Sequence, residues 1–173
     1  EDQGISLKEI QEFRLVFECH TVSLAAQRRN PADLIKMEKY LDQMIQSSAG
    51  GKFNLHADVG FHQAIADAAK NPLHSAVESK LNHRMVKGVK ENLVRLNESP
   101  ITIADTLSQH TTIYDAVRNQ QPEKASSAME SHIRYVLDII FRNPDLPDAP
   151  DTIEMICSYC RRRTRKPGLT QLS

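Results

Sequence analysis

Five interruptions divide this chain: Asn30-Pro31, Gly50-Gly51, Asn71-Pro72, Asn97 to Pro100, and Asn119 to Pro122. Proline lacks an amide donor and pushes the preceding residue out of helical geometry, so an Asn-Pro step ends one helix and can open the next. Between the interruptions, apolar residues recur at three- and four-residue intervals. No segment alternates with the period of two that a half-buried strand needs. A chain cut this way folds as helices turned back on one another by short loops. The expected class is all-α, an antiparallel bundle of six to seven helices.

Ser6 is placed to cap the first helix from Leu7, with Glu9 completing a capping box. Its apolar stripe is read as Ile10, Phe13, Val16, Phe17, Thr21 and Leu24, and His20 falls on the same stripe as a core or pocket residue. The second helix starts at Pro31 and carries Leu34, Met37, Leu41 and Ile45. The third is expected from about Lys52 to Lys70, with Phe61, Ile65 and Ala69 inward. The fourth is expected from Pro72 to about Leu96, with Leu73, Val77, Leu81, Met85, Val89 and Leu93 on one side. The fifth spans about Thr102 to Asn119 and the sixth Pro122 to Phe141. From Asn143 the text becomes a Pro/Asp linker. A short amphipathic segment from Thr152 follows, then a basic tail at Arg161, Arg162, Arg163, Arg165 and Lys166. The expected division is a helical domain over 1–142 and an appendage over 143–173.

Lys and Arg total 22 and so do Asp and Glu, which leaves no net charge to attract nucleic acid or a membrane. No run approaches the ~18 apolar residues of a membrane span. The cysteines, Cys19, Cys157 and Cys160, make no secreted disulfide framework, so a reduced cytoplasmic setting is expected. The first residues are not a signal peptide and lack an initiator Met, which suggests a piece of a longer protein.

Four residues carry the chemistry. Asp58 and His62 are at i, i+4 on the third helix, so a carboxylate and an imidazole share one face. His110 and His132 each lie 11 residues from Gln121, the centre of the turn between helices five and six (121 − 110 and 132 − 121). In an antiparallel hairpin, equal distance from the turn means equal height. Both rings can therefore meet at one level, where Asp58 and His62 can join them. Three imidazoles and one carboxylate suit a divalent transition ion, zinc or nickel foremost and manganese as an alternative. The ion would also neutralise an acid that is otherwise costly to bury.

Other polar residues have plainer readings. His56 lies about 200° around the helix from Asp58 and should face away. His74 and His83 have no ligand partner at i, i+4. Arg14 and Glu18 are either a surface ion pair or the edge of a ligand site in which Arg14 forks onto a carboxylate. Thr106 shares a face with His110 and is expected to pack, with donation to a ligand as the alternative. Cys157 and Cys160 form a lone CxxC without the second pair a zinc ribbon requires. There is no GxSxG, HExxH, Walker loop or dinucleotide-binding turn.

With these residues identified, Leu7 to Ile140 resembles the ligand-sensing C-terminal domain of the FadR branch of GntR transcription regulators. The likeness is carried by Ile10 to Glu18 with Leu24-Ala25-Ala26, by Asp58-Val59-Gly60-Phe61-His62 with Asn71-Pro72, and by Gln109-His110, Ile113, Ala116-Val117, Ala125, Ala128-Met129 and His132. The resemblance implies a metal held by Asp58, His62, His110 and His132, and a small organic acid (a hydroxy-, keto- or sugar acid) bound beside it. It implies effector contacts at Arg14 and, by weaker matches, at Arg84 and Thr106. It also implies a homodimer that meets DNA only through an N-terminal winged helix-turn-helix, which is not among these residues. Acyl-CoA-sensing members lack the metal set, so that effector class is disfavoured. The expected function is effector sensing by a transcription regulator and not catalysis. The alternatives are a metal-dependent enzyme using the same four ligands, which would need a general base, and a plain dimerisation bundle.

Overall fold

The computed structural model describes residues 4–90 and 100–141, with the side chains at 87–90, 100–102, 140 and 141 outside that description. The break from Asn97, the inward residues Val89 and Leu93, and the appendage over 143–173 lie outside the described residues. The helices are α1 (Leu7–Arg28), α2 (Pro31–Ala49), α3 (Leu55–Ala68), α4 (Pro72–Lys90), α5 (Pro100–Arg118) and α6 (Pro122–Phe141). Among the described residues there is no strand, and no helix is long and apolar enough to cross a membrane.

Local chemistry sets the starts. The Ser6 hydroxyl accepts from the Glu9 amide, and the Glu9 carboxylate accepts in return from the Ser6 amide at 2.8 Å. Asn30 and Asp33 form the same reciprocal box ahead of Pro31. Helix α3 begins at Leu55, later than the expected Lys52. The Asn54 side chain accepts from the Ala57 amide at 3.0 Å, which makes Asn54 the cap. Two ends share another device. Lys70 (φ 54°) and Gln120 (φ 53°) adopt left-handed geometry just before Asn71-Pro72 and Gln121-Pro122. That bend reverses the chain in both the α3–α4 and α5–α6 hairpins.

Helix α1 is the centre of the bundle. It packs most extensively on α6 and also touches α3, α4 and α5, while α2 packs on α3 and α5. Its last residues tie the far end together: Arg28 donates to the Ala69 carbonyl at 2.9 Å, and Arg29 to the Arg118 carbonyl at 2.6 Å. These place guanidinium groups on the C-terminal ends of α3 and α5, where carbonyls lack helical partners. The core is built from Val22, Ala25, Ala26, Met37, Phe61, Ile65, Ile113, Met129 and Ile133. Gly60 admits the Tyr40 ring of α2, which lies 2.4 Å from where a Cβ would stand.

The inward face of α1 differs from the expected stripe. Phe13 is 51% exposed and Val16 40%, and His20 is exposed as well. The buried face instead carries Gln11, Arg14 and Glu18 among Ile10, Leu15, Cys19 and Val22. Phe13 and Phe17 stack on each other outside, and Phe17 stacks on His74. Helix α4 departs in the same way: Leu73 is exposed, while Glu78 is 1% exposed. On α2, Met44 takes the buried place expected for Ile45.

Candidate metal centre

Asp58 and His62 of α3, His110 of α5 and His132 of α6 are all buried and converge on one point of the bundle interior. The ring centroids of His110 and His132 are 4.4 Å apart, and His62 lies 5.5 and 5.4 Å from them. One donor atom from each of the four residues lies within 4.8 Å of every other. The equal spacing of His110 and His132 from their turn does place the rings at one level.

The tautomers are set by what each ring holds on its other side. His62 Nδ1–H donates to Glu18 Oε2 at 2.6 Å, His110 Nδ1–H to the Thr106 carbonyl at 2.8 Å, and His132 Nδ1–H to Gln109 Oε1 at 3.0 Å. A carbonyl or carboxylate oxygen can only accept, so in each ring the proton resides on Nδ1. The Nε2 lone pairs are left for the interior. Metal-binding histidines are oriented by this kind of outer hydrogen bond. Nε2 of His62 and of His110 are buried without a hydrogen-bond partner. His110 Nε2 lies 3.0 Å from Asp58 Oδ1. Converging lone pairs that ignore one another are costly unless a cation lies between them.

The protonation states suit the same purpose. Burial holds the His132 ring well below its ordinary value, reinforced by His110 and His62, so it is neutral at pH 7. Burial alone would raise the Asp58 carboxyl, but the neighbouring His110 ring, with His62 and Arg14, outweighs it and holds Asp58 ionised. The donor set is therefore three imidazoles turned with Nε2 to the interior and one carboxylate, which fits a first-row divalent ion.

A polar layer from α1 and α4 backs this centre. Arg14 and Glu18 form a buried ion pair, not a surface one, and Arg14 Nη1 also donates to Gln11 Oε1 at 3.1 Å and approaches the Met85 sulfur at 3.8 Å. Glu18 thus serves two partners, Arg14 and His62. Burial would raise its carboxyl, but the Arg14 guanidinium and the hydrogen bond from His62 bring it down to about 2. Thr106 is buried and gives its carbonyl to His110, while Arg84 is half-buried on α4. Glu130 is paired with Arg134 at 3.0 Å. Gln109 and Glu78 had no assigned role in the sequence, and Glu18 was read only as the partner of Arg14, not as an acceptor for His62. Gln109 could have been found from its position opposite His132 across the hairpin.

Comparison with known proteins adds the family. The FCD domain matches residues 9–135. The HTH-type transcriptional regulator LutR of Bacillus subtilis (strain 168) is 29% identical over 135 residues, which is 78% of this chain and 62% of that protein. The uncharacterized HTH-type transcriptional regulator YcbG of the same organism is 30% identical, over 81% of this chain and 57% of its own length. The HTH-type transcriptional repressor NanR of Cronobacter sakazakii (strain ATCC BAA-894) is 27% identical, covering 75% and 49%. The chain thus spans between 49% and 62% of the length of these relatives. Two solved structures share the fold. E. coli McbR/YncC has a TM-score of 0.67 and 21% identity, covering 79% of this chain and 64% of that one. Streptococcus agalactiae GntR has a TM-score of 0.60 and 24% identity, covering 74% and 56%.

Proposed function

Since the chain belongs to the FCD domain family of GntR-type regulators, we propose that it is a metal-containing sensor of a small organic acid that controls DNA binding by a winged helix-turn-helix outside these residues. One observation carries the metal part of this reading. Three histidines each commit Nδ1 to an oxygen acceptor, so that their Nε2 atoms and Asp58 face a common interior point. A divalent ion held there supplies a positive centre to which a carboxylate is drawn. The enzyme alternative has less support: Glu130 is occupied by Arg134, and the matched relatives carry the names of transcriptional regulators.

In this reading Asp58, His62, His110 and His132 hold the ion, and zinc or nickel are the first candidates, with manganese possible. The acid binds beside it, in the region bounded by Arg14, Thr106 and Arg84. Arg14 meets it as a guanidinium already fixed by Glu18, which lowers the entropy lost on ordering a long side chain. Binding shifts a regulator between states only if the acid favours one of them. A homodimer is the expected assembly.

The test is elemental analysis of domain purified without chelator, together with calorimetric titration of hydroxy-, keto- and sugar acids. The expected result is about one divalent ion per chain and at least one acid that binds the metal-loaded form more tightly than the metal-free form. Protein that is metal-free and takes up no zinc, nickel or manganese would sink the reading.

A further inference from the structure

We infer that Glu78 sets the specificity of the acid pocket, and that the acid it selects carries a hydroxyl or ammonium donor in addition to its carboxylate. This rests on the acid-sensing reading above and narrows it, since keto-acids and unsubstituted acids lack such a donor.

Glu78 belongs to α4, and its side chain is buried at 1% exposure. Both carboxyl oxygens are buried and neither has a hydrogen-bond partner. Its electrostatic neighbours are Glu18, Arg14 and Asp58. Met85, seven residues on and therefore on the same face of α4, touches both Arg14 and Gln11.

A carboxyl in this position has no structural occupation. The neighbouring cation, Arg14, makes its hydrogen bonds to Glu18 and Gln11 and none to Glu78. Asn82, on an adjacent part of α4, does have a structural role, donating to the Val59 carbonyl at 3.2 Å. A leucine or methionine at 78 would bury without cost, whereas a carboxyl with two unmet oxygens is retained at a loss. Burial and the negative charges of Glu18 and Asp58 push its carboxyl well above the ordinary range, as expected of an acid that lacks its partner. Whether protonated or ionised, a carboxyl offers at least one acceptor oxygen. The complementary group on a ligand is a donor. With the ligand's carboxylate directed to the metal and Arg14, the donor must lie on a nearby carbon to reach α4.

The experiment uses the metal-loaded domain and acids in matched sets of equal length: propionate, pyruvate, lactate and alanine, then hexanoate and gluconate. Calorimetry should find a donor-bearing member binding roughly ten-fold or more tightly than its donor-free counterparts, the range expected when a buried acceptor is met or left unmet. Glu78→Met should bring that ratio to within about two-fold with metal content unchanged. Glu78→Ala, which removes the carboxyl without filling its space, repeats the test should the methionine not fold. Glu78→Gln separates the two donors: it keeps an acceptor for a hydroxyl but lacks the charge that favours an ammonium. The proposal is overturned if donor-bearing and donor-free acids bind the wild type equally, or if both carboxyl-deleting variants keep the wild-type ratio. Loss of metal in both would overturn it too, by making Glu78 part of the ion's own coordination. If no acid of any class binds a domain that does hold its ion, the acid-sensing reading itself fails.

Discussion

Glu18→Gln tests the polar layer behind the metal centre. The substitution preserves shape and removes one charge. Two partners feel it. Arg14 is 4% exposed and Glu18 2%, so the guanidinium would be left buried without its counter-charge. Breaking one side of a buried pair costs about 3–5 kcal/mol, and the amide oxygen, still able to accept from Arg14, sets the expectation at the lower end. His62 would lose an anionic acceptor now 2.6 Å from its Nδ1. Loss of such an outer partner typically weakens a metal site about 10–100-fold, or about 1.4–2.7 kcal/mol. Urea unfolding of the metal-free domain, followed by circular dichroism, reads the first effect. Chelator competition for zinc reads the second. The double variant Arg14→Met/Glu18→Met supplies the control, because it removes both charges and fills the space with apolar atoms. It should recover most of the lost stability yet bind zinc as weakly as the single variant. If Glu18→Gln holds zinc within about two-fold of wild type, Glu18 does not orient His62 and the reasoning fails.

Four further outcomes are expected. His132→Ala should abolish the rise in melting temperature that added zinc gives the wild type, because stabilisation by mass action requires the folded state to bind the ion; an undiminished rise would show that the ion sits elsewhere. The metal-free domain should lose stability steeply as pH falls from 4.5 toward 2, where Glu18 takes up a proton in the unfolded chain before the folded one, and His132 adds to the loss below 6.5 for the same reason. Glu78, with its raised value, acts in the opposite sense, so the stability gained by Glu78→Met over wild type should grow as pH rises above 4.5; a gain that shrinks would contradict the shift. Gln120→Gly should stabilise by about 0.5–1 kcal/mol, since Gln120 is exposed at φ 53° and glycine adopts that geometry without strain; a lower melting temperature would refute this.

The features legible in the sequence are those with local causes. The Asn-Pro steps, the Ser6–Glu9 box and the proline helix starts act within four residues, and the helix bounds follow them closely. The four-residue constellation was legible because helical spacing and hairpin symmetry are rigid rules. The polar layer was not. Hydrophobicity assigns α1 an inward face through Phe13 and Val16, but the buried face runs through Gln11, Arg14 and Glu18. Those residues are stable inside only because partners arrive from other helices, His62 being 44 residues from Glu18 and Met85 71 from Arg14. A period along one helix carries no information about such partners. Glu78 was missed for the same reason, and His20 was misplaced along with the stripe. The Asn54 cap was a smaller miss: the residues from Lys52 are compatible with helix, and only the Asn54 bond to Ala57 fixes the start.

Helix α1 contributes no donor to the centre, yet Glu18 fastens it there near the midpoint of its 22 residues. A rod of that length is about 33 Å long, so Glu18 acts as a fulcrum with arms of roughly 16 Å. A tilt of about 5° about that point would carry each tip through about 1.4 Å. At one tip are Arg28 and Arg29, whose bonds of 2.9 and 2.6 Å hold the ends of α3 and α5. A displacement of that size exceeds the tolerance of a hydrogen bond. At the other tip is Ser6, where the chain enters the bundle. A tilt of α1 about its bond to His62 would thus be felt at both ends of that helix by leverage alone.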